Sequence, residues 1–182
     1  MEKIVNFIKQ YTKNCTFEAI HNKKLDKELL FAYIGGPREK IMVYDILCEK
    51  EIAKISYVLN NKGVYISEFV VDSEYQQNGI GKTLFNMVAC RGLLLDKKLV
   101  YGIASPTDEL KDFAGNDEDF TFDEEKRVIA QIYQKLGCEV LLIDKENHFT
   151  FKIAKDAKFD KRIVKFINKI QKLNNKNEDK VK

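Results

Sequence analysis

The 182-residue chain lacks any apolar run approaching the twenty or so residues that a membrane-spanning helix needs; runs such as Val140–Ile143 are short. Its first residues, Met1-Glu2-Lys3-Ile4-Val5-Asn6, mix polar with apolar side chains too early for the core of a secretory signal. Cysteine is sparse: Cys15, Cys48, Cys90 and Cys138 lie more than thirty residues apart, with no C-x-x-C pair. The two histidines, His21 and His148, have no carboxylate or cysteine at ligand spacing, so both read as structural or surface groups and no metal is expected. These absences argue against a membrane protein, a secreted disulfide scaffold and a zinc module. The expectation is a cytoplasmic protein with reduced thiols.

What is present describes a folded chain. Hydrophobic residues make up 45% and charged residues 32%, outside the range of disordered sequences, and the length fits one globular unit. The net charge of +3 names no partner, but its distribution is uneven. Residues 108–125 hold nine acids against one lysine, whereas residues 155–182 hold ten basic residues against four acids.

Periodicity supplies the elements. Ile4, Val5, Ile8 and Tyr11 share a helical face. Strands are expected at Thr16–Ile20, Leu29–Ile34 and Lys40–Leu47, then at Glu51–Leu59 and Val64–Val71, the last two joined by the turn Asn60-Asn61-Lys62-Gly63. An antiparallel meander results. At Gly79 the spacing turns helical, and a short buried strand follows at Leu99–Ala104. After Pro106 comes an acidic connection of unusual length, and such loops are functional or mobile. A helix from about Asp123 to Leu136 ends at Gly137, with strands at Glu139–Ile143 and His148–Ile153 after it. Phe159, Ile163, Phe166 or Ile167, Ile170 and Leu173 predict a last amphipathic helix with Lys161, Arg162, Lys165, Lys169 and Lys172 opposite, and a frayed tail beyond Asn174. The fold class is therefore α/β of the α+β kind: a mixed, mainly antiparallel central sheet flanked by helices, with an extra C-terminal amphipathic helix. Residues 1–154 are expected to form the main domain and 155–182 a basic helix and tail.

The stretch Phe69-Val70-Val71-Asp72-Ser73-Glu74-Tyr75-Gln76-Gln77-Asn78-Gly79-Ile80-Gly81-Lys82-Thr83 is a strand feeding a glycine loop that opens a helix. Helix-start amides without partners, and glycines that allow close approach, suit a bound diphosphate. Gly81-Lys82-Thr83 matches the end of a nucleotide P-loop, G-x-x-x-x-G-K-[ST], and Val140–Asp144 imitates a metal-holding strand. Yet Gln76 stands where the first P-loop glycine belongs, and an antiparallel meander precedes the loop where P-loop proteins have parallel strands. A P-loop nucleotide-binding protein is thus the disfavoured reading.

Gln76-x-x-Gly79-x-Gly81 resembles the [QR]-x-x-G-x-[GA] signature of the GNAT superfamily of acyl-CoA N-acyltransferases. Ile66 through Leu84 resembles that family's fourth strand, pyrophosphate loop and third helix, and Ile132-Tyr133-Gln134-Lys135-Leu136-Gly137-Cys138 resembles its F-Y-x-x-x-G-F turn. The two motifs are about fifty residues apart in the right order, and the likeness covers roughly residues 40–153. It implies transfer of an acetyl group from acetyl-CoA to a primary amine, borne by a small molecule or a protein, by direct attack in a ternary complex and without a metal. It also implies that Phe69, Val70 and Val71 pair with the pantetheine arm, with the Val71 N–H on the thioester oxygen. Gln76, Gln77, Asn78, Gly79, Ile80, Gly81, Lys82 and Thr83 would form the diphosphate cradle, and Tyr133 would protonate the departing thiolate. Glu68 is the nearest carboxylate for a base, with Asp108 or a water chain as alternatives. The chain departs from the family at Tyr65 or Ser67, where many members carry glutamate, at Lys126, where they often carry asparagine, and at Cys138, in place of phenylalanine.

The acidic stretch would attract a cationic acceptor, or is simply a solvated loop. The basic helix could close the sheet edge, form a homodimer seam or lie on an acidic surface; its apolar face favours packing on its own domain. Two other classes stay open. One is a non-catalytic coenzyme A-binding module, and the other an RNA-associated acetyltransferase. Small net charge and the lack of an aromatic-basic stacking platform weigh against nucleic acid.

Overall fold

The structure, a computed structural model, describes residues 1–104, 122–143 and 146–178, with backbone alone for residues 11, 122–127, 177 and 178. Helix α1 (Glu2–Tyr11) precedes β1 (Cys15–Asn22), β2 (Lys27–Ile34), β3 (Glu39–Asp45), β4 (Lys50–Leu59) and β5 (Val64–Val71). A 3-10 turn at Ser73–Tyr75 leads to α2 (Ile80–Leu94), and β6 (Leu99–Ala104), α3 (Phe122–Lys135), β7 (Glu139–Ile143), β8 (Glu146–Lys152) and α4 (Lys161–Glu178) follow. The eight strands form one sheet in the order β1-β2-β3-β4-β5-β6-β8-β7. All neighbours are antiparallel except β5 and β6, whose parallel pairing needs a crossover, supplied by α2.

The meander closes on local chemistry. At the β4–β5 turn the Asn60 side-chain oxygen accepts from the N–H groups of Lys62 and Gly63, both at 3.0 Å. Strands β2 and β3 are buried on both faces because helices cover both. Helix α1 sets Ile4 and Ile8 on Leu30, Ala32, Met42 and Tyr44, whereas Leu29, Phe31, Tyr33, Ile41 and Val43 join the main core under α2 and α4. In α4 the expected apolar face is present: Ile163, Phe166, Ile167 and Ile170 are buried. Its basic face is partly neutralised, because Lys165 and Lys169 both pair with Glu18 on β1, the former at 2.7 Å, and Arg162 pairs with Asp160 at 2.9 Å. Helix α4 runs to Glu178, past the point where fraying was expected, and Asn174 is tied to the sheet by donating to the Tyr33 hydroxyl at 3.0 Å.

One ion pair lies inside the core. Arg91 of α2 grips Glu39 of β3 through two nitrogens, Nε at 3.3 Å and a terminal nitrogen at 3.1 Å, and Tyr57 donates to the same carboxylate at 2.7 Å. Gln171 of α4 accepts from the same guanidinium, so the group is satisfied on several sides despite its burial.

The feature that shapes the molecule's middle is short pairing. Parallel contact between β5 and β6 covers only Val64–Ile66 against Val100–Gly102. Immediately afterwards β5 carries a bulge: Tyr57 faces Ile66 and Ser56 faces Glu68, leaving Ser67 as the extra residue. The bulged strand follows β4, while Ile103 and Ala104 of β6 pair onward with β8. The strands part, and among the described residues no strand pairs with β5 along its edge from Ser67 to Val71. Close approach at the parting point needs Gly102, where an added Cβ would stand 2.7 Å from the Phe149 ring and 2.8 Å from the Ile66 carbonyl. Among the described residues no helix is long and apolar enough to cross a membrane, and all four cysteines are free.

Candidate functional site

Backbone direction along β5 follows from one hydrogen bond. The Asp72 N–H donates to Ile52 O on β4 at 2.9 Å, and because N–H groups alternate along a strand, that of Val71 points to the open edge. The Val71 carbonyl shares that edge and accepts from the Gln76 side chain at 3.1 Å. Gln76 therefore latches the loop to the strand that precedes it.

The loop's carbonyls are held from outside. Asn22 donates to Asn78 O at 3.0 Å and Lys24 donates to Gln77 O at 2.8 Å, both reaching across from the β1–β2 turn. Asn78 donates back to Gln76 O at 3.1 Å. Gln77 and Gly79 take left-handed conformations, with φ of 59° and 79°, and the Gly79 carbonyl then receives the first helical bond from Thr83 N–H at 3.0 Å. With these carbonyls engaged, the amides of the loop and first turn of α2 remain as a cluster of donors at the positive end of a fifteen-residue helix.

The stem of the loop is equally fixed. Tyr75 donates to Asp45 at 2.9 Å, and Lys27 pairs with the same carboxylate oxygen at 2.7 Å while its ammonium lies 5.6 Å from the Tyr75 ring centre. Burial works against charge on Asp45 but is outweighed by Lys27, Tyr75 and the Leu47 N–H, so its pKa is lowered to about 2.

Tyr133 arrives on α3. Its ring stacks on Phe149 of β8 at 4.0 Å and meets Phe69 of β5 edge-on at 6.3 Å, and α3 closes behind it through Cys138 N–H donating to Tyr133 O at 3.0 Å, with Gly137 at φ 88°. Burial, and secondarily the neighbouring Cys138, push the Tyr133 hydroxyl well above its ordinary pKa, so it holds its proton at neutral pH. Burial likewise raises the Cys138 thiol to about 12, which removes it as a nucleophile.

These parts meet in one cavity of about 650 Å³, lined by Phe69, Val70 and Val71 of the open edge, by Gln76, Gln77, Gly79, Gly81 and Lys82 at the helix start, and by Tyr133. Gly81 gives the cavity its depth there, since a Cβ would reach 3.5 Å from both Phe69 and Val71. Lys24, Tyr75, Val128, Ile129, Ile132 and Lys135 are also among the wall residues. The side chains of three residues of the expected cradle lie elsewhere. Ile80 is a core residue only 1% exposed, and Asn78 and Thr83 face a second groove on the other side of the helix start.

Glu68 is also outside the cavity. It sits one residue before Phe69 and so faces the opposite side of the sheet, where Lys54 pairs with it at 2.7 Å and Ser56 donates to it at 3.0 Å. Burial raises its pKa, but the Lys54 and Ser56 contacts outweigh burial and leave it lowered. The histidines do have acidic neighbours in space: His21 lies 3.5 Å from Asp26 and 3.6 Å from Glu28, and His148 lies 4.0 Å from Glu146. The first two link β1 to the β1–β2 turn and to β2, and the third joins residues two apart along β8. Asp108 and most of the acidic segment, together with the Lys126 side chain, fall outside the described residues.

No protein-family model matches the chain, and no curated protein matches its sequence. Solved structures do. A cAMP-binding acyltransferase from Mycobacterium smegmatis superposes with a TM-score of 0.62 at 11% identity, over 94% of this chain and 59% of that one. This chain thus spans about three fifths of the length of that protein. An aminoglycoside 6'-N-acetyltransferase complexed with coenzyme A gives a TM-score of 0.47 at 17% identity, over 69% of this chain and 77% of that one. A GNAT-family acetyltransferase from Staphylococcus aureus gives 0.45 at 12%, over 65% and 69%. At such identities the likeness is one of architecture: the chain shares the fold of the acyltransferase from Mycobacterium smegmatis. Its own element count differs from the family labels used above: the strand before the loop is the fifth and the helix after it the second.

Proposed function

We propose that the chain is an N-acyltransferase that moves an acetyl group from acetyl-CoA to a primary amine by direct attack within a ternary complex. The observation that carries this reading is the single cavity joining the open edge of β5, the start of α2 and Tyr133. An acyl-CoA has three parts with different needs. Its diphosphate suits the amides from Gln77 to Gly81 and the Lys82 ammonium, where the helix dipole adds to hydrogen bonding. Its pantetheine amides suit the Phe69–Val71 segment, where the backbone groups of Phe69 and the Val71 N–H face the unpaired edge, and they extend it as a further strand. Its thioester oxygen then falls to the Val71 N–H, a fixed donor where negative charge develops.

In the reaction the amine lone pair attacks the carbonyl carbon and the carbonyl π pair moves to oxygen, opposite the Val71 N–H. Collapse restores the double bond and breaks the carbon–sulfur bond, and the sulfur takes the Tyr133 proton, which the raised pKa has kept on the phenol until charge builds on sulfur. Glu68 and Tyr133 flank β5 from opposite faces, so acid and base chemistry are separated by the strand. The amine's surplus proton leaves on the Glu68 side through water, with Glu68, ionised but weakly basic beside Lys54, as its relay.

That same ion pair favours the second reading, a module that holds coenzyme A without transferring anything, because it engages the carboxylate the chemistry would use. Thiol release from acetyl-CoA, followed against a panel of polyamines, aminoglycosides and lysine peptides, separates the two. Amine-dependent release is expected. Calorimetric binding of coenzyme A with no release under any amine would favour the module, and saturation with ATP and magnesium while coenzyme A is ignored would remove both.

A further inference from the structure

The sheet has two ends, and they are built differently. Strand β1 carries Glu18 and His21, and α4 reaches over to it: Lys165 and Lys169 pair with Glu18, and Arg162 donates to the His21 carbonyl at 3.1 Å. Charges and a covering helix are the usual protection of a sheet edge. Strand β7, at the other end, lacks the charges: Val140-Leu141-Leu142-Ile143 holds none and no proline. Among the described residues only β8 pairs with it.

Its side chains are bare on both faces. Cross-strand partners share a face, so register fixes which way each side chain points. Leu141 pairs with His148 and Ile143 with Glu146, and His148 pairs in turn with Ile103 of β6, which sets these residues on the face away from Tyr133. Val140 pairs with Phe149, the ring on which Tyr133 stacks, so Val140 and Leu142 lie on the α3 face. Leu141 is 53% exposed, Ile143 46% and Leu142 65%, and Ile103 extends the first patch inward at 37%. A cover laid on one face would shield Leu141 and Ile143, or else Leu142, but not all three. A strand added at the edge reaches both faces and also takes up the outer amides and carbonyls.

We propose that β7 pairs antiparallel with β7 of a second copy of this chain, joining the two eight-stranded sheets edge to edge across a two-fold axis. Symmetry and charge select that occupant. A two-fold perpendicular to the sheet keeps equivalent faces on one side, as the apolar pattern requires. With the axis at Leu141 the register uses all five residues of β7: Leu141 meets its own copy, Val140 meets Leu142, and Glu139, the strand's one charge, meets Ile143. The two Glu139 carboxylates then lie at opposite ends of the ladder, where parallel pairing in register would set them side by side. Ile103, Leu141 and Ile143 of both copies form one apolar strip. A five-residue strand supplies far fewer contacts than the roughly 20–30 residues a side of a standard interface, so the dimer is a weak one, with a Kd on the order of 10 μM. The pairing is independent of which ligand the main cavity holds.

Sedimentation velocity of the full chain tests it. The chain is expected to pass from monomer to dimer as its concentration rises between roughly 1 and 500 μM, with β7 amides exchanging more slowly at the high end. Leu141→Lys and Leu141→Glu each set like charges face to face at the axis, at a side chain already exposed in the single copy. Either alone is expected to raise the Kd about tenfold or more with the urea midpoint unchanged, and an equimolar mixture of the two should recover the dimer as a Lys–Glu pair. A chain that stays monomeric throughout overturns the proposal, whether its β7 amides exchange fast, as at a bare edge, or slowly, as under cover from within the chain. A dimer that survives Leu141→Lys lies on another surface and overturns it equally. Two monomeric variants whose mixture stays monomeric would put the axis elsewhere than Leu141, and the pairing fails.

Discussion

Tyr133 owes its position to its ring and its proposed chemistry to its hydroxyl, and the two are separable. Tyr133→Phe retains the stack on Phe149 and the edge contact with Phe69. It is expected to lower kcat about a hundredfold, the scale of a lost general acid, with the KM for acetyl-CoA and the urea midpoint unchanged. Equal turnover by the two proteins between pH 6 and 10 would remove the assigned role. Asp45 makes a different prediction. Its native pKa of about 2 lies below the usual unfolded value of about 3.9, so the stability it contributes is complete above the unfolded value and is lost as pH falls through the native one. Asp45→Asn should flatten the acid limb of the stability curve between those values, seen as a smaller fall in urea midpoint; an unaltered limb would assign acid sensitivity elsewhere. Residues such as these were unevenly legible. The glycine loop and Tyr133 stand in compact local motifs and could be read directly. Asn22, Lys24 and Asp45 could not, because each acts on a partner far along the chain and carries no pattern of its own.

At the scale of elements, periodicity recovered nearly every strand and helix. It could not reveal the Ser67 bulge, which adds one residue without breaking the run of strand-forming side chains. Nor could it reveal where β5 and β6 part, since that depends on register between strands distant in sequence. Gly102→Ala tests the parting point. Its Cβ would press on Phe149 and the Ile66 carbonyl, and Phe149 in turn carries Tyr133. Overpacking of this kind costs about 1–3 kcal/mol, and the variant is expected to lose both stability in urea and donor affinity. Gly81→Glu tests the other wall. A carboxylate beside Phe69 and Val71 should repel the diphosphate and abolish calorimetric binding of coenzyme A while leaving the far-ultraviolet circular dichroism unchanged; retained binding would move the diphosphate off this loop.

For the whole molecule, the C-terminal helix is part of the main core. Its buried side chains Ile163, Phe166, Ile167 and Ile170, at roughly 1.5–3 kcal/mol each, together rival the total stability of a small domain of about 5–15 kcal/mol. Truncation after Lys158 is therefore expected to give a chain that binds hydrophobic dye and fails to unfold cooperatively; a cooperative transition would mean that the sheet and α2 suffice. The single carboxylate of Glu18, shared by Lys165 and Lys169, also offsets one of their two positive charges on the face that an RNA partner would need. Composition announced the charge of that helix, but only the folded arrangement says where it is spent.

The three-residue seam between β5 and β6 gives the sheet a mechanical character of its own. Five strands on one side and three on the other form two plates joined by a narrow strap, and the proposed site for the acyl end of a donor is where the plates diverge. Plates so joined flex about the strap, so its amides should take up deuterium before those of β2 and β3, and a donor wedged in the divergence should slow that uptake.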